Sequence, residues 1–150
     1  MLRLLFLFAS IVALASCHNC VCAPSDGLGL GMISFDSTEV DTIITRKFQK
    51  GSNFSQLIDT LQWDKSRVDF RKHTDTFQMA SWSGDILLHS QYDYQVFIPA
   101  ANRTFNVAEI NEPQRMDECR GKVMCVNRIV SVKLNTTSTA IQNDILYLKK

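Results

Sequence analysis

Along most of the chain, apolar and polar residues alternate with a period of two, the spacing of a strand with one face inward. In Asp41–Phe48, Thr42, Ile44, Arg46 and Phe48 share one face. In Tyr92–Ile98, Tyr92, Tyr94, Val96 and Ile98 fall on one side and Asp93, Gln95 and Phe97 on the other. Pro99-Ala100-Ala101-Asn102 predicts a turn, and Arg103–Ile110 returns as the antiparallel partner. Val130, Val132 and Leu134 form another stripe; a polar turn at Asn135–Thr139 leads to a last strand over Asp144–Leu148. Met32–Phe35 and Thr76–Trp82 add two more, and Ser83-Gly84-Asp85 reads as a hairpin tip before Ile86-Leu87-Leu88.

One stretch has a different period. Phe54, Leu57, Ile58 and Leu61 form a helical stripe, with Ser52 or Asn53 as cap, so a short helix is expected over 51–61. About seven strands and one short helix predict a mainly β protein, an antiparallel β-sandwich. The architecture suggests the immunoglobulin-like class, without the Cys…Trp…Cys arrangement of antibody domains.

The N-terminus breaks both patterns. After Arg3, residues 4–16 carry no charge, and thirteen apolar residues are too few for a spanning helix, which needs roughly 20. That length suits the apolar core of an export signal. Leu14-Ala15-Ser16-Cys17 matches the lipobox, and in this respect the chain resembles bacterial lipoproteins cut by signal peptidase II. The resemblance implies a signal peptide over 1–16 and a diacylglycerol thioether on Cys17, whose new amino group is acylated as well. Two or three acyl chains make membrane attachment stable where one does not. His18 follows Cys17, and no acidic residue stands there. By resemblance to enterobacterial lipoproteins this implies the outer membrane. The alternative is a secreted protein without a lipid anchor, cut after Ala13-Leu14-Ala15, whose Asn-x-Ser/Thr triplets at Asn53, Asn102 and Asn135 accept glycans.

Removing residues 1–16 removes Arg3 and leaves 15 basic and 15 acidic side chains. A neutral body has no long-range attraction for nucleic acid. The cluster Arg46-Lys47-Phe48-Gln49-Lys50 reads as a solvated strand or turn. About 134 residues suit a single domain. Residues 17–31, with Gly27, Gly29 and Gly31 alternating with leucines, read as the lipidated residue and a glycine-rich tether, and 32–150 as the β-rich domain. The glycines lack the third position of a dinucleotide fingerprint and precede a strand, which excludes that reading.

With Cys17 lipidated, Cys20, Cys22, Cys119 and Cys125 remain. An even number of thiols in an oxidising compartment points to disulfides. Of three pairings, the one closing the small Cys20–Cys22 ring is disfavoured by geometry, which leaves two cross-links between tether and body. Zinc is the weaker reading, since C-x-C and C-x5-C depart from the usual C-x2-C knuckles.

No catalytic motif appears. His18, His73 and His89 stand in no metal or triad spacing. Asp36, Glu39 and Asp41 lack the ligand order of a calcium loop. Trp63, Trp82, Tyr92 and Tyr94 are the candidates for a sugar platform, against the plainer reading as core and cross-strand aromatics. No cofactor or metal is expected. The whole chain also resembles small uncharacterised lipoproteins of Bacteroidota, through the lipobox, the Cys-rich start and the stretches ISFDSTEVDTIITRKFQKGSNF and YDYQVFIPAANRTF. That group has no established activity, so the resemblance bears on location. The expectation is a non-enzymatic envelope lipoprotein, binding a protein or glycan partner or supporting an assembly. A small periplasmic enzyme with scattered catalytic residues is the alternative.

Overall fold

The computed structural model describes Cys22 and residues 25–64, 69–73, 76–80, 87–119 and 122–150, with the backbone alone described at 69–73, 76–80, 116–119 and 122–124. It is mainly β. The strands are β1 (Gly29–Ile33), β2 (Thr42–Gln49), β3 (Leu57–Asp64), β4 (Asp69–His73), β5 (Thr76–Ala80), β6 (Tyr92–Ile98), β7 (Arg103–Asn111), β8 (Gln114–Cys119), β9 (Lys122–Asn127), β10 (Ser131–Leu134), β11 (Thr137–Ala140) and β12 (Ile145–Lys149).

Six of them form an antiparallel sheet in the order β11-β10-β7-β6-β2-β3. A second sheet has the order β12-β1-β5-β4, in which β1 and β12 run parallel, and β8-β9 make a separate two-stranded ribbon. The two larger sheets share one core. The smaller contributes Leu30 and Met32 from β1 and Leu146 and Leu148 from β12. The larger contributes Ile43, Val96, Ile98, Val107 and Val132. This is sandwich-like packing.

Alternation explains which face goes inward. On β6, Tyr94, Val96 and Ile98 are buried in the core, and their register partners on β2 are Lys47, Thr45 and, by continuation of the pleat, Ile43. Directly opposed residues share a face. Ile44, Arg46 and Phe48 therefore lie on the outer face with Phe97, Gln95 and Asp93. The Arg46 guanidinium stacks 5.8 Å from the Phe97 ring centre on that face.

More strands form than the period-two pattern marks. β3, β4, β8, β9 and β11 are not among the expected strands. β3 and β11 are outermost in their sheet and largely exposed, so no strict alternation is demanded of them. The expected polar turn at 135–139 shortens to Asn135-Thr136, and β11 pairs back on β10.

The expected helix over 51–61 is absent. Gly51, Asn53 and Phe54 have φ of 74°, 52° and 60°, left-handed values that interrupt a right-handed helix after one residue. The chain instead makes a turn tied by Gln49 N–H to Gln56 O at 3.0 Å, and Leu57–Asp64 pairs with β2 from Phe48 to Thr42. The helical stripe is thereby split. Phe54 goes to the turn, while Leu57 and Ile58 remain more than half exposed on the edge strand.

The tether is also shorter than expected, because Gly29–Ile33 is β1. Leu28, Leu30 and Met32 are essentially fully buried, so the Gly/Leu alternation is a strand pattern with a small-residue face. Gly31 is required there: a Cβ would come within 2.6 Å of Cδ1 of the Tyr147 ring, its register partner on β12. Ahead of β1, Leu28 and Leu88 exchange two backbone hydrogen bonds of 2.9 Å.

Turn chemistry accounts for the three Asn-x-Ser/Thr triplets. Asn53, Asn102 and Asn135 all have positive φ, 52°, 48° and 56°, a conformation Asn tolerates better than most residues. The expected turn at 99–102 is closed by Asn102 N–H to Pro99 O at 3.0 Å. The hairpin tip at 83–85 lies outside the described residues.

Candidate functional site

The outer face of the six-stranded sheet carries a groove of about 490 Å³ near one end. Its floor is Asp93 on β6, Ala108 on β7 and Lys133 on β10, and its walls are the β2–β3 turn and the β10–β11 turn. Each side chain is there for a local reason. Asp93 is directly opposite Phe48 and so shares its outward face. Phe48 is nonetheless buried, because the Phe54 ring covers it edge-on at 5.5 Å between centres. The turn that carries Phe54 is held by Asp93 itself, whose Oδ2 accepts the Gly51 N–H at 2.7 Å.

Asp93 is 3% exposed, and its Oδ1 has no hydrogen-bond partner among the described residues. A buried polar atom left unpaired costs about 1–3 kcal/mol, more when charged. Two lysines line the same groove. Lys133 pairs with Glu109 Oε1 at 2.7 Å on the rim, and Lys50 donates to the carbonyls of Ser90 at 2.7 Å and Ile110 at 3.3 Å. The ammonium of Lys50 thus bridges the carbonyls of Ser90 and Ile110.

Left-handed residues concentrate here. Asn53, Phe54, Glu109 and Asn135 line the groove and are half of the eight non-glycine residues with positive φ among the described residues. For an aromatic residue such as Phe54 this backbone costs on the order of 1–3 kcal/mol. Glu109 is the extra residue of a β-bulge. Between the pairs Ser131↔Asn111 and Lys133↔Ala108, β7 advances three residues against two on β10. The bulge throws Glu109 onto the rim and returns Ile110 to the core. Asn135 is fixed by two bonds to Asn106, its N–H donating to the carbonyl at 2.7 Å and its Oδ1 accepting the amide N–H at 3.0 Å.

A second polar cluster joins the N-terminal segment to the body. Glu112 accepts the Ser25 N–H at 2.8 Å through Oε1 and the Ser90 hydroxyl through Oε2. Burial would raise its carboxyl, but the bonds from Ser90 and Ser25 outweigh that and hold it below the ordinary value. The serine donates straight to the carboxylate, with no imidazole between them to act as base. His89 instead lies against Gly27, and its backbone N–H donates to the Tyr94 hydroxyl at 3.0 Å. Burial pushes that phenol up to about 12.

Cys22 is bonded to Cys125 with Cα atoms 4.6 Å apart, a tether-to-body link of the expected kind. Cys17 and Cys20 lie outside the described residues, and the backbone of Cys119 pairs with Lys122 at the end of the β8–β9 ribbon. The other sequence candidates do not converge. Trp63 and Tyr94 are core residues and Tyr92 is half-buried beside Tyr94, the plainer reading of these aromatics, while Trp82 lies outside the described residues. Glu39 closes its own loop, accepting the Asp36 N–H at 3.0 Å and pairing with Lys150 at 2.8 Å. That lysine, with the Asp36 backbone bond, holds the Glu39 carboxyl below its ordinary value. Of the histidines, His18 is outside the described residues and His73 is placed by its backbone in β4.

Sequence reasoning missed Asp93 and the turn residues of the groove. Asp93 stands on the polar face of an alternating strand, where an ordinary solvated carboxylate is expected, and Ser52 or Asn53 reads as a helix cap. The available signal was Gly-Ser-Asn directly after a strand, which also fits a tight turn. Comparison of the chain with known proteins finds no matching family model, no matching curated protein and no matching solved structure.

Proposed function

We propose that this chain is a bacterial envelope lipoprotein: acylated on Cys17, held at the outer membrane, and presenting a non-catalytic β-rich binding module. The observation that carries the reading is the Cys22–Cys125 bond together with Leu14-Ala15-Ser16-Cys17. A disulfide suits an exported destination, where thiols oxidise and remain oxidised. It also sets a distance. Cys22 lies five positions after Cys17 in the sequence, and an extended chain spans at most about 3.6 Å per residue, so the body rides within about 18 Å of the acylated residue. The module is then a short-leashed domain at the bilayer surface, and the groove on its outer face is the natural place for a partner.

The test is metabolic labelling with a fatty-acid analogue, combined with intact-protein mass spectrometry of the membrane fraction. Wild type should carry acyl mass on a chain that begins at Cys17. Cys17→Ser should stay an unprocessed precursor without label. A product that begins at Ser16 without acyl mass, or labelling that survives Cys17→Ser, refutes the anchor.

A further inference from the structure

We infer that one end of the body lies on the phospholipid surface, with Leu57 and Ile58 entering the headgroup region and Arg115 and Arg128 meeting lipid phosphates. This deepens the anchored reading and rests on it.

Hydrogen bonds and register collect these residues at one end of the six-stranded sheet. Lys50, just past β2, donates to the carbonyls of Ser90, ahead of β6, and Ile110, near the end of β7. Glu112 accepts from Ser90 and from Ser25, three residues after Cys22. Val130 N–H donates to Asn111 O at 3.0 Å and Arg128 N–H to Pro113 O at 3.4 Å, and Arg128 is three residues after Cys125. Toward the β3 edge, Leu57 registers with Phe48, and Phe48 with Asp93 at the start of β6. The disulfide and the first residues of β3 therefore share an end. The turn at Pro99–Asn102 is at the other, separated by the nine residues of β7, about 30 Å at 3.4 Å per residue. With Cys22 within about 18 Å of the acylated residue, the leash holds the first end near the headgroups and leaves the 99–102 turn remote from them.

The chemistry of this end suits that neighbour. Among the described residues, the large apolar side chains that stand exposed are Leu57 and Ile58, at 57% and 52%, and both are here. Arg115 and Arg128 line a polar depression of about 450 Å³ together with the β11–β12 link. Arg128 pairs with Asp144 at 3.5 Å, while Arg115 is exposed and has no ion-pair partner among the described residues. A guanidinium matches a phosphate through two parallel hydrogen bonds. Every phospholipid carries a phosphate, so the match asks for guanidinium groups and not for a net positive face. Buried apolar area and electrostatic attraction are the two contributions that strengthen binding to a bilayer surface. The acyl anchor makes the contact intramolecular, so a weak patch is enough to hold one orientation. A second copy seated on the open edge of β3 would cover the apolar pair and leave the arginines without a role.

The experiment places the full-length processed protein, its acyl mass measured first, in vesicles of phosphatidylethanolamine and phosphatidylglycerol with ordinary or brominated acyl chains. Leu57→Trp adds a fluorophore at the contact and Ala100→Trp one on the remote turn, each corrected for the native tryptophans. Bromine quenches at short range, so the added fluorescence of Leu57→Trp should be quenched roughly threefold more than that of Ala100→Trp. In the Leu57→Trp protein, the further changes Ile58→Asp and Arg115→Glu should lower that quenching roughly twofold, since each removes one of the two contributions to surface binding. Both positions are exposed, so the thermal midpoint in detergent should stay as it was, which guards against misfolding. The orientation is overturned if Leu57→Trp is quenched no more than Ala100→Trp, or if the further changes leave quenching unaltered. An unquenched Leu57→Trp whose β3 cross-links to a second copy would overturn it in favour of self-association. Acylated protein with an unquenched Leu57→Trp refutes the orientation alone, whereas a chain without acyl mass refutes the anchor and the orientation with it.

Discussion

Replacing both Cys22 and Cys125 by Ala in a Cys20→Ala, Cys119→Ala background removes this cross-link with no second one left to restrain the same ends. The two residues are 103 apart in sequence. In the chain-entropy model, opening a loop of that size raises the entropy of the unfolded chain enough to cost about 4.7 kcal/mol as an upper figure. Domains of this kind are stable by about 5–15 kcal/mol in total, so the loss is a third of the stability or more. A body of about 130 residues unfolds with an entropy of roughly 270 cal/mol/K at 2.1 per residue, which turns that loss into a drop of about 17 °C in thermal midpoint. Differential scanning calorimetry of that background with and without the Cys22–Cys125 pair reads it directly. β1 should stay in place after the change, because burial of Leu28, Leu30 and Met32, each contributing about 1.5–3 kcal/mol, does not depend on the bond. Limited proteolysis of the folded variant should therefore cut N-terminal to Leu28 and spare Gly29–Ile33. A drop under about 5 °C, with the Cys22–Cys125 peptide demonstrated in wild type by non-reducing mapping, would refute the loop-entropy reasoning. Cleavage within β1 would refute its independent anchoring.

Gly31→Ala should destabilise by about 1–3 kcal/mol in denaturant titration, since its Cβ must displace the Tyr147 ring from 2.6 Å; an unchanged midpoint would mean that the ring moves freely. Alkali should unfold the protein early. The Tyr94 phenol is raised from 10.0 to about 12 in the fold, so its contribution is complete below pH 10 and disappears as pH rises toward 12. Tyr94→Phe should flatten that limb of the stability profile. On the acid side, the Glu112 carboxyl is depressed, so its contribution is present above the ordinary carboxylate range and is lost as pH falls through its lowered value. Glu112→Gln should shift the acid unfolding midpoint, and an unchanged acid limb would show that the Ser25 and Ser90 bonds do not hold the N-terminal segment.

The amino-acid sequence alone determined the fold class and several of its parts. Alternation over Tyr92–Ile98 and Arg103–Ile110, with Pro99–Asn102 between them, specified a hairpin because inward and outward residues leave only one choice of face. Turn propensity at Asn102 needed no partner either, since Asn tolerates positive φ wherever it stands. The cysteine count pointed to tether-to-body links, but which thiols meet depends on where two distant segments lie, and there the tertiary structure joined Cys22 to Cys125.

Elsewhere local pattern and tertiary context competed, and context decided. Phe54, Leu57, Ile58 and Leu61 have helical spacing, but a helix needs a surface to cover. β2 offered an open edge whose backbone hydrogen bonds required a partner, and β3 supplied one along seven registered pairs. Leucines alternating with glycines look like a flexible leash until a second strand is present; β12 then brings Tyr147 over Gly31, and only glycine leaves room for the ring. The groove was the least legible feature of all. Asp93, Phe54, Glu109 and Asn135 come from four separate parts of the chain, and each taken singly is an ordinary turn or strand residue. Only the pairing of β2, β6, β7 and β10, with a bulge at Glu109, sets them around one buried carboxylate.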